Sequence, residues 1–233
     1  AALGQIALPC GRYGLARREA EAALGIARAI GHREWTAMAL SMLGRMRMGL
    51  GDGAGALRLH QEMREIAEIL GTNIWRSEAH NNLGEDLIAL GRFEEADSLL
   101  TSSVVEAGGL SFYVVQTLRI HAGLHLQRGD ASAALAMARD ATTRAPWMRV
   151  FTGDARRVEA EALAVLEGPA AGLTVLAEVE ALAAALDAAP MAWRSALAAA
   201  RLLGELGRHD EARAAAARAL TALESTARDL DPA

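Results

Sequence analysis

One glycine returns along this chain at a nearly fixed interval, and that recurrence limits the fold more than any other feature. Six stretches align on it: PCGRYGLARREA, GLGDGAGALRLH, ALGRFEEADSLL, QRGDASAALAMA, LEGPAAGLTVLA and ELGRHDEARAAA. The glycines are Gly11, Gly51, Gly91, Gly129, Gly168 and Gly207, spaced 40, 40, 38, 39 and 39 residues apart. A charged residue follows in five copies (Arg12, Asp52, Arg92, Asp130, Arg208), and an alanine stands five residues on in five (Ala16, Ala56, Ala96, Ala134, Ala212). Seven residues before the glycine, the first three copies complete a Leu-Gly pair: Leu3-Gly4, Leu43-Gly44 and Leu83-Gly84. Self-similarity at such a period marks stacked copies of one supersecondary unit.

Each copy reads as helix, tight turn, helix. Glycine supplies the left-handed residue that ends the first helix. Asp52 and Asp130 stand where a side chain caps the second, and Glu94, Glu95, Asp210 and Glu211 put negative charge in a first turn, where the helix dipole favours it. The small residues of the Leu-Gly and alanine slots let paired helices approach closely, so leucine at Gly84 or Ala96 is expected to cost about 1–3 kcal/mol. With 52% hydrophobic but only 4% aromatic residues, the composition favours helices over sheets.

Composition also removes functions. All 24 basic residues are arginine, so neither a phosphate-loop lysine nor a Schiff base is available. Cys10 stands alone, which excludes a disulfide framework or a cysteine-rich zinc site. A net charge of -5 argues against direct nucleic-acid binding, and no apolar run is long enough to cross a membrane. The absence of an initiator methionine and of a secretory signal predicts a cytoplasmic piece of something longer.

The pattern resembles the tetratricopeptide repeat, W-x2-L-G-x2-Y…A-x3-F…P. The likeness is clearest in AHNNLGEDLIALGRFEEADSLL, where Leu83, Gly84, Gly91, Phe93 and Ala96 hold family positions, and Pro146 matches the family proline in the next copy. The tyrosine slot departs from it, with Arg47, Leu87 or His125. A period near 40 is similar to the long repeats of kinesin light chains and of regulatory arms in bacterial signalling ATPases and transcription activators. HEAT repeats share the period but not the Leu-Gly, glycine-charge and alanine slots. The resemblance implies an all-α, right-handed α-solenoid of antiparallel hairpins. Its copies are expected near 1–31 (truncated), 32–71, 72–109, 110–147, 148–188 and 189–228.

In a solenoid of this type the first helices line the concave side, and slots thirteen, ten, nine and six before the turn glycine point away from the packed ones. They predict a partner-binding groove of Met38, Arg45, Glu78, Asn81, Asn82, Glu85, Gln116, Arg119, Arg194 and Arg201. Asparagine disfavours a helix interior by up to about 0.7 kcal/mol, so the Asn81-Asn82 pair reads as functional. Asn82→Ala with Arg119→Ala is expected to abolish partner capture and spare the melting temperature. The resemblance implies a non-catalytic module that takes a protein or peptide, or another domain of its parent, in that groove, as a regulatory or sensor arm.

Other readings are weaker. In HAGLH, His121 and His125 are four apart, as zinc-binding histidines on a helix can be. But the stretch lacks the glutamate of HExxH, a third ligand has no obvious source, and the same slots elsewhere hold mainly leucine and alanine. A small-molecule or metal site around His121, His125 and His80, a catalytic one included, is the alternative reading. Interior histidines and no cofactor are expected. GLGDGAGA grazes a dinucleotide fingerprint but follows a helix, not a strand. Trp35, Trp75 and Tyr113 recur at the period and are expected to stack between copies. The Met38, Met42, Met46, Met48 cluster fits a core or an adaptable surface equally well. The alanine-rich stretch 155–220 reads either as a close-packed end of the array or as the self-association surface of a structural oligomerisation module, with Leu197, Leu202 and Leu203 less well covered.

Overall fold

The structure, a computed structural model, describes residues 4, 7–109 and 111–230. Among these the regular structure is entirely helical: α1 (Tyr13–Ala29), α2 (Arg33–Gly49), α3 (Gly53–Leu70), α4 (Asn73–Ala89), α5 (Phe93–Glu106), α6 (Ser111–Gln127), α7 (Ala131–Arg144), α8 (Arg149–Glu167), α9 (Pro169–Ala185), α10 (Ala189–Glu205) and α11 (His209–Leu230). Each helix packs on the next, and the even-numbered helices also touch one another in sequence. The result is an all-α solenoid. Leu3, of the first Leu-Gly pair, lies outside the described residues.

The recurring glycines close turns. All six have positive φ, from 72° at Gly207 to 103° at Gly168. At the third, the Gly91 and Arg92 amides donate back to the Ile88 and Leu87 carbonyls, satisfying the end of α4. Asp52 and Asp130 then cap the following helices, accepting from Gly55 N at 2.8 Å and Ala133 N at 3.0 Å.

The Leu-Gly slot sets how large a partner its hairpin admits. A Cβ on Gly84 would stand 2.7 Å from Leu100, and one on Gly44 would collide with the His60 imidazole. In the fourth copy the glycine slot grows to Ala122 while its partner slot shrinks to Ala138, each fully buried. A larger residue at one slot goes with a smaller one at the other, as close packing requires.

Buried polar groups bolt the second to fourth hairpins together. His60 Nδ1 lies 2.6 Å from Asp86 Oδ2 and its Nε2 3.3 Å from the Ser41 carbonyl. Burial pushes the Asp86 carboxyl above its ordinary range, against the His60 hydrogen bond. Asn82 donates to Ser41 Oγ at 2.9 Å. Asn81 Oδ1 accepts from Thr117 Oγ1 at 2.7 Å and Ser103 Oγ at 3.1 Å, while its amide donates to the Tyr113 carbonyl at 3.3 Å.

After one turn the superhelix meets itself. The α11 helix packs on α1, and Asp229 Oδ2 accepts from the Gly14 and Leu15 amides at 2.5 and 3.2 Å. Arg12, at the N-cap of α1, supplies no side-chain cap, so a residue more than two hundred positions away takes that role. Gly14 sits so near the Asp229 carbonyl that any side chain would collide with it. An Arg12–Asp187 ion pair at 3.2 Å lies on the same seam, exposed on both sides.

Candidate functional site

Because the ends meet, the concave side becomes a channel, and each of the inner helices α2, α4, α6, α8 and α10 sends a charged side chain to its waist. Arg45 of α2, Glu85 of α4, Arg119 of α6, Asp154 of α8 and Arg194 of α10 line one cavity of about 110 Å³. On one side it opens into a vestibule of about 440 Å³ with Met38, Met42, Trp75, Phe112, Tyr113 and Phe151. On the other lies a chamber of about 640 Å³ with Ile88, Ile120, Trp193, Leu197 and Arg201.

An ion-pair ladder crosses the waist and chamber. Arg119 Nη1 reaches Asp154 Oδ2 at 2.6 Å and Glu85 Oε1 at 3.3 Å. Arg157 bonds Asp154 at 3.0 Å and also Glu161, which in turn meets Arg201 at 3.4 Å. Burial alone would raise the Glu85 and Asp154 carboxyls. Arg119 and Arg194 reverse this at Glu85, and Arg157, Arg119 and Arg194 do so at Asp154, so both sit below the usual carboxylate range. The same carboxylates hold Arg119 charged against its own burial. In the vestibule, burial and then the Glu78 charge push the Tyr113 phenol up to about 12.

Arg45 and Arg194 differ from the other arginines of this channel. Both are half-buried, and among the described residues neither has a carboxylate within ion-pairing distance. Arg194 instead lies over the Trp193 ring, 5.3 Å from its centroid. Tyr13 stands beside them in the waist; burial raises its phenol, and both guanidiniums work against that rise. Two guanidiniums and a phenol face one narrow space, a donor set whose chemistry suits an anionic oxygen group.

The ten residues of the expected groove divide into two sets. Met38, Arg45, Glu78, Glu85, Arg119, Arg194 and Arg201 line the channel. Asn81, Asn82 and Gln116 do not project from the concave surface as expected; they are 1%, 4% and 3% exposed. The two asparagine amides are used up in bonds between helices, which also removes the expectation that Asn82→Ala would spare the melting temperature. Trp75 and Tyr113 face the vestibule, whereas Trp35 is exposed and stacks on His32 at 4.4 Å. Met42 and Met46 belong to the core, and Met38 and Met48 reach the channel. Leu202 and Leu203 are buried in the α8–α11 core, as in the close-packed alternative for this stretch. Leu197 is exposed, but it faces the chamber.

Asp154, Arg157 and Glu161 escaped the slot rule. The α8 helix has 19 residues where the other inner helices have 17, which moves its charged face out of register. Their three- and four-residue spacing was the available signal.

Away from the channel, His121 and His125 gain a third potential ligand. Asp97 of α5 brings an oxygen within 4.8 Å of a ring nitrogen of each, and its Oδ1 is 2.6 Å from His121 Nε2. His80, also buried, is not part of this group. Burial pushes the His121 ring down; the Asp97 bond opposes that and His125 adds to it.

No protein-family model matches the chain, and no curated protein matches it in sequence. Solved structures do match in fold. BtubC (BKLC) from P. vanneervenii superposes with a TM-score of 0.62 at 14% identity, covering 90% of each chain. A structure from Podosopora anserina, described as a kinesin light chain with nearly identical TPR-like repeats, gives 0.55 at 18% identity. It covers 82% of this chain and 96% of its own. The fold is that of tetratricopeptide-like helical repeats.

Proposed function

We propose that the chain is a non-catalytic interaction module whose channel holds an extended acidic peptide segment, from another protein or from another domain of its parent. The observation that carries this is the pair of unpaired guanidiniums, Arg45 and Arg194, at a waist between two partly apolar spaces. Every other channel arginine already has a carboxylate partner. A guest carboxylate at the waist completes the charge pattern, with apolar neighbours on either side meeting Phe151 and Trp75 in the vestibule and Leu197 and Trp193 in the chamber. The Glu85–Asp154 ladder fixes the walls in advance, which lowers the ordering cost of binding.

The fold shared with a kinesin light chain, and the forty-residue period, support placing the module as a regulatory arm of a larger cytoplasmic protein. No helix among the described residues is long and apolar enough to cross a bilayer.

Panning the whole chain against a displayed library of random dodecapeptides tests this. Enriched peptides are expected to carry aspartate or glutamate flanked by apolar residues. Charge-assisted hydrogen bonds contribute about 1.5–3 kcal/mol each, so Arg45→Ala with Arg194→Ala should weaken capture by more than about tenfold. Capture is read beside the melting temperature, because Arg194 also helps hold the Glu85 and Asp154 carboxyls in their charged form. Basic or sequence-indifferent peptides, or full capture by the double variant, would remove the channel as the site.

A further inference from the structure

The geometry points to a zinc-class divalent metal site, independent of the channel, built from Asp97, His121 and His125. Two helices supply it. His121 and His125 are one turn apart on α6, with ring centroids 4.9 Å apart, and Asp97 reaches across from α5. One ligand atom from each lies within 4.8 Å of the other two. A tetrahedral ion with bonds near 2.1 Å holds its ligand atoms roughly 3.4 Å apart, so small side-chain rotations close the site.

The surroundings suit ligands more than a packed interior does. The side chains of His121, His125 and Asp97 are 9%, 21% and 38% exposed. The group is thus anchored on one side and open to solvent on the other, leaving room for a water as fourth ligand. Arg128 Nη1 holds Asp97 Oδ2 at 2.9 Å, which orients the carboxylate and leaves Oδ1 turned to His121. Asp130 Oδ2 stands 3.6 Å from His125 Nδ1, the outer carboxylate that metal-binding imidazoles commonly have. Two imidazoles and one carboxylate select a borderline divalent ion such as Zn²⁺ over Mg²⁺ or Ca²⁺. On binding, the ion replaces the proton shared by His121 Nε2 and Asp97; a neutral ring moves that proton to Nδ1, so no net proton need leave. The bound ion would tie the third hairpin, through α5, to the fourth, through α6.

The test is calorimetric titration of the whole chain, stripped of metal, with zinc chloride, alongside visible absorption with Co²⁺. One equivalent of Zn²⁺ should bind with a Kd in the micromolar range or tighter, and Co²⁺ should show the intense bands of four-coordination. His125→Gln should weaken binding by about 100-fold or more, and the exposed His209→Gln should leave it unchanged. Asp97→Asn also removes partners of His121 and Arg128, so its fold is checked by circular dichroism; His125, partly exposed, carries the test if that variant melts early. No binding below millimolar Zn²⁺, or wild-type affinity in His125→Gln, would overturn the assignment.

Discussion

The second to fourth hairpins and the last two solve one packing problem in different ways. Between α2 and α6 the helices are locked by buried polar groups: Ser41, His60, Asn81, Asn82, Asp86, Ser103 and Thr117 are all under 9% exposed. Between α8 and α11 the core is Ala160, Leu176, Ala198, Ala199, Leu202, Leu203 and Ala215. There the helices hold by closeness: a Cβ on Gly172 would stand 2.5 Å from the Ala160 carbonyl. The first solution specifies register through directional bonds whose breakage leaves buried groups without partners. The second relies on small side chains and fails when volume is added. One solenoid can therefore be brittle to different substitutions at its two ends.

The largest effect should come from the polar half. Asp86→Ala strands His60 in a fully buried place and is expected to cost about 3–5 kcal/mol, read by urea unfolding. In the alanine half, Gly172→Ala presses a methyl against a backbone carbonyl that cannot turn aside, for about 1–3 kcal/mol. A swap sharpens the contrast: Leu176→Ala should hurt more than a new methyl at an exposed face of α9, because loss of a buried leucine costs about 2–5 kcal/mol. Asn82→Ala should cost about 1 kcal/mol; an unchanged melting temperature would show that its bond to Ser41 carries little.

The smallest effect is one of pH. The folded-state pKa of Asp154 lies below its unfolded value, so its contribution is present above the ordinary carboxylate range and is lost as pH falls toward the folded value. Asp154→Asn lacks that term. Its stability gap to the wild type should narrow steadily as the solution is acidified below about pH 5, and a constant gap would mean the ladder is not coupled to folding.

The hairpins were legible in the sequence because glycine and helix caps act locally: Gly51, Asp52, Gly129 and Asp130 do what their types dictate. Seven channel-lining residues were legible for the same reason, since a helical slot rule needs only periodicity. Asn81 and Asn82 were misplaced because a polar side chain on a helix reads as solvent-facing until the neighbouring helix supplies Thr117 or Ser41 as its partner. Asp154 was hidden by a helix two residues longer than its counterparts. The carboxylate beside His121 and the seam between Asp229 and Gly14 come from separate elements, and no local pattern encodes either contact.

That seam turns a groove into a channel, and small-angle X-ray scattering of the whole chain tests it most directly. A closed turn predicts a radius of gyration close to that of a compact chain of this length, roughly 17–18 Å. Gly14→Leu, which drives a side chain into the Asp229 carbonyl, should raise it by several ångströms. A wild-type value already as large as that of the variant would mean the solenoid is open, and that Arg45 and Arg194 do not share one waist.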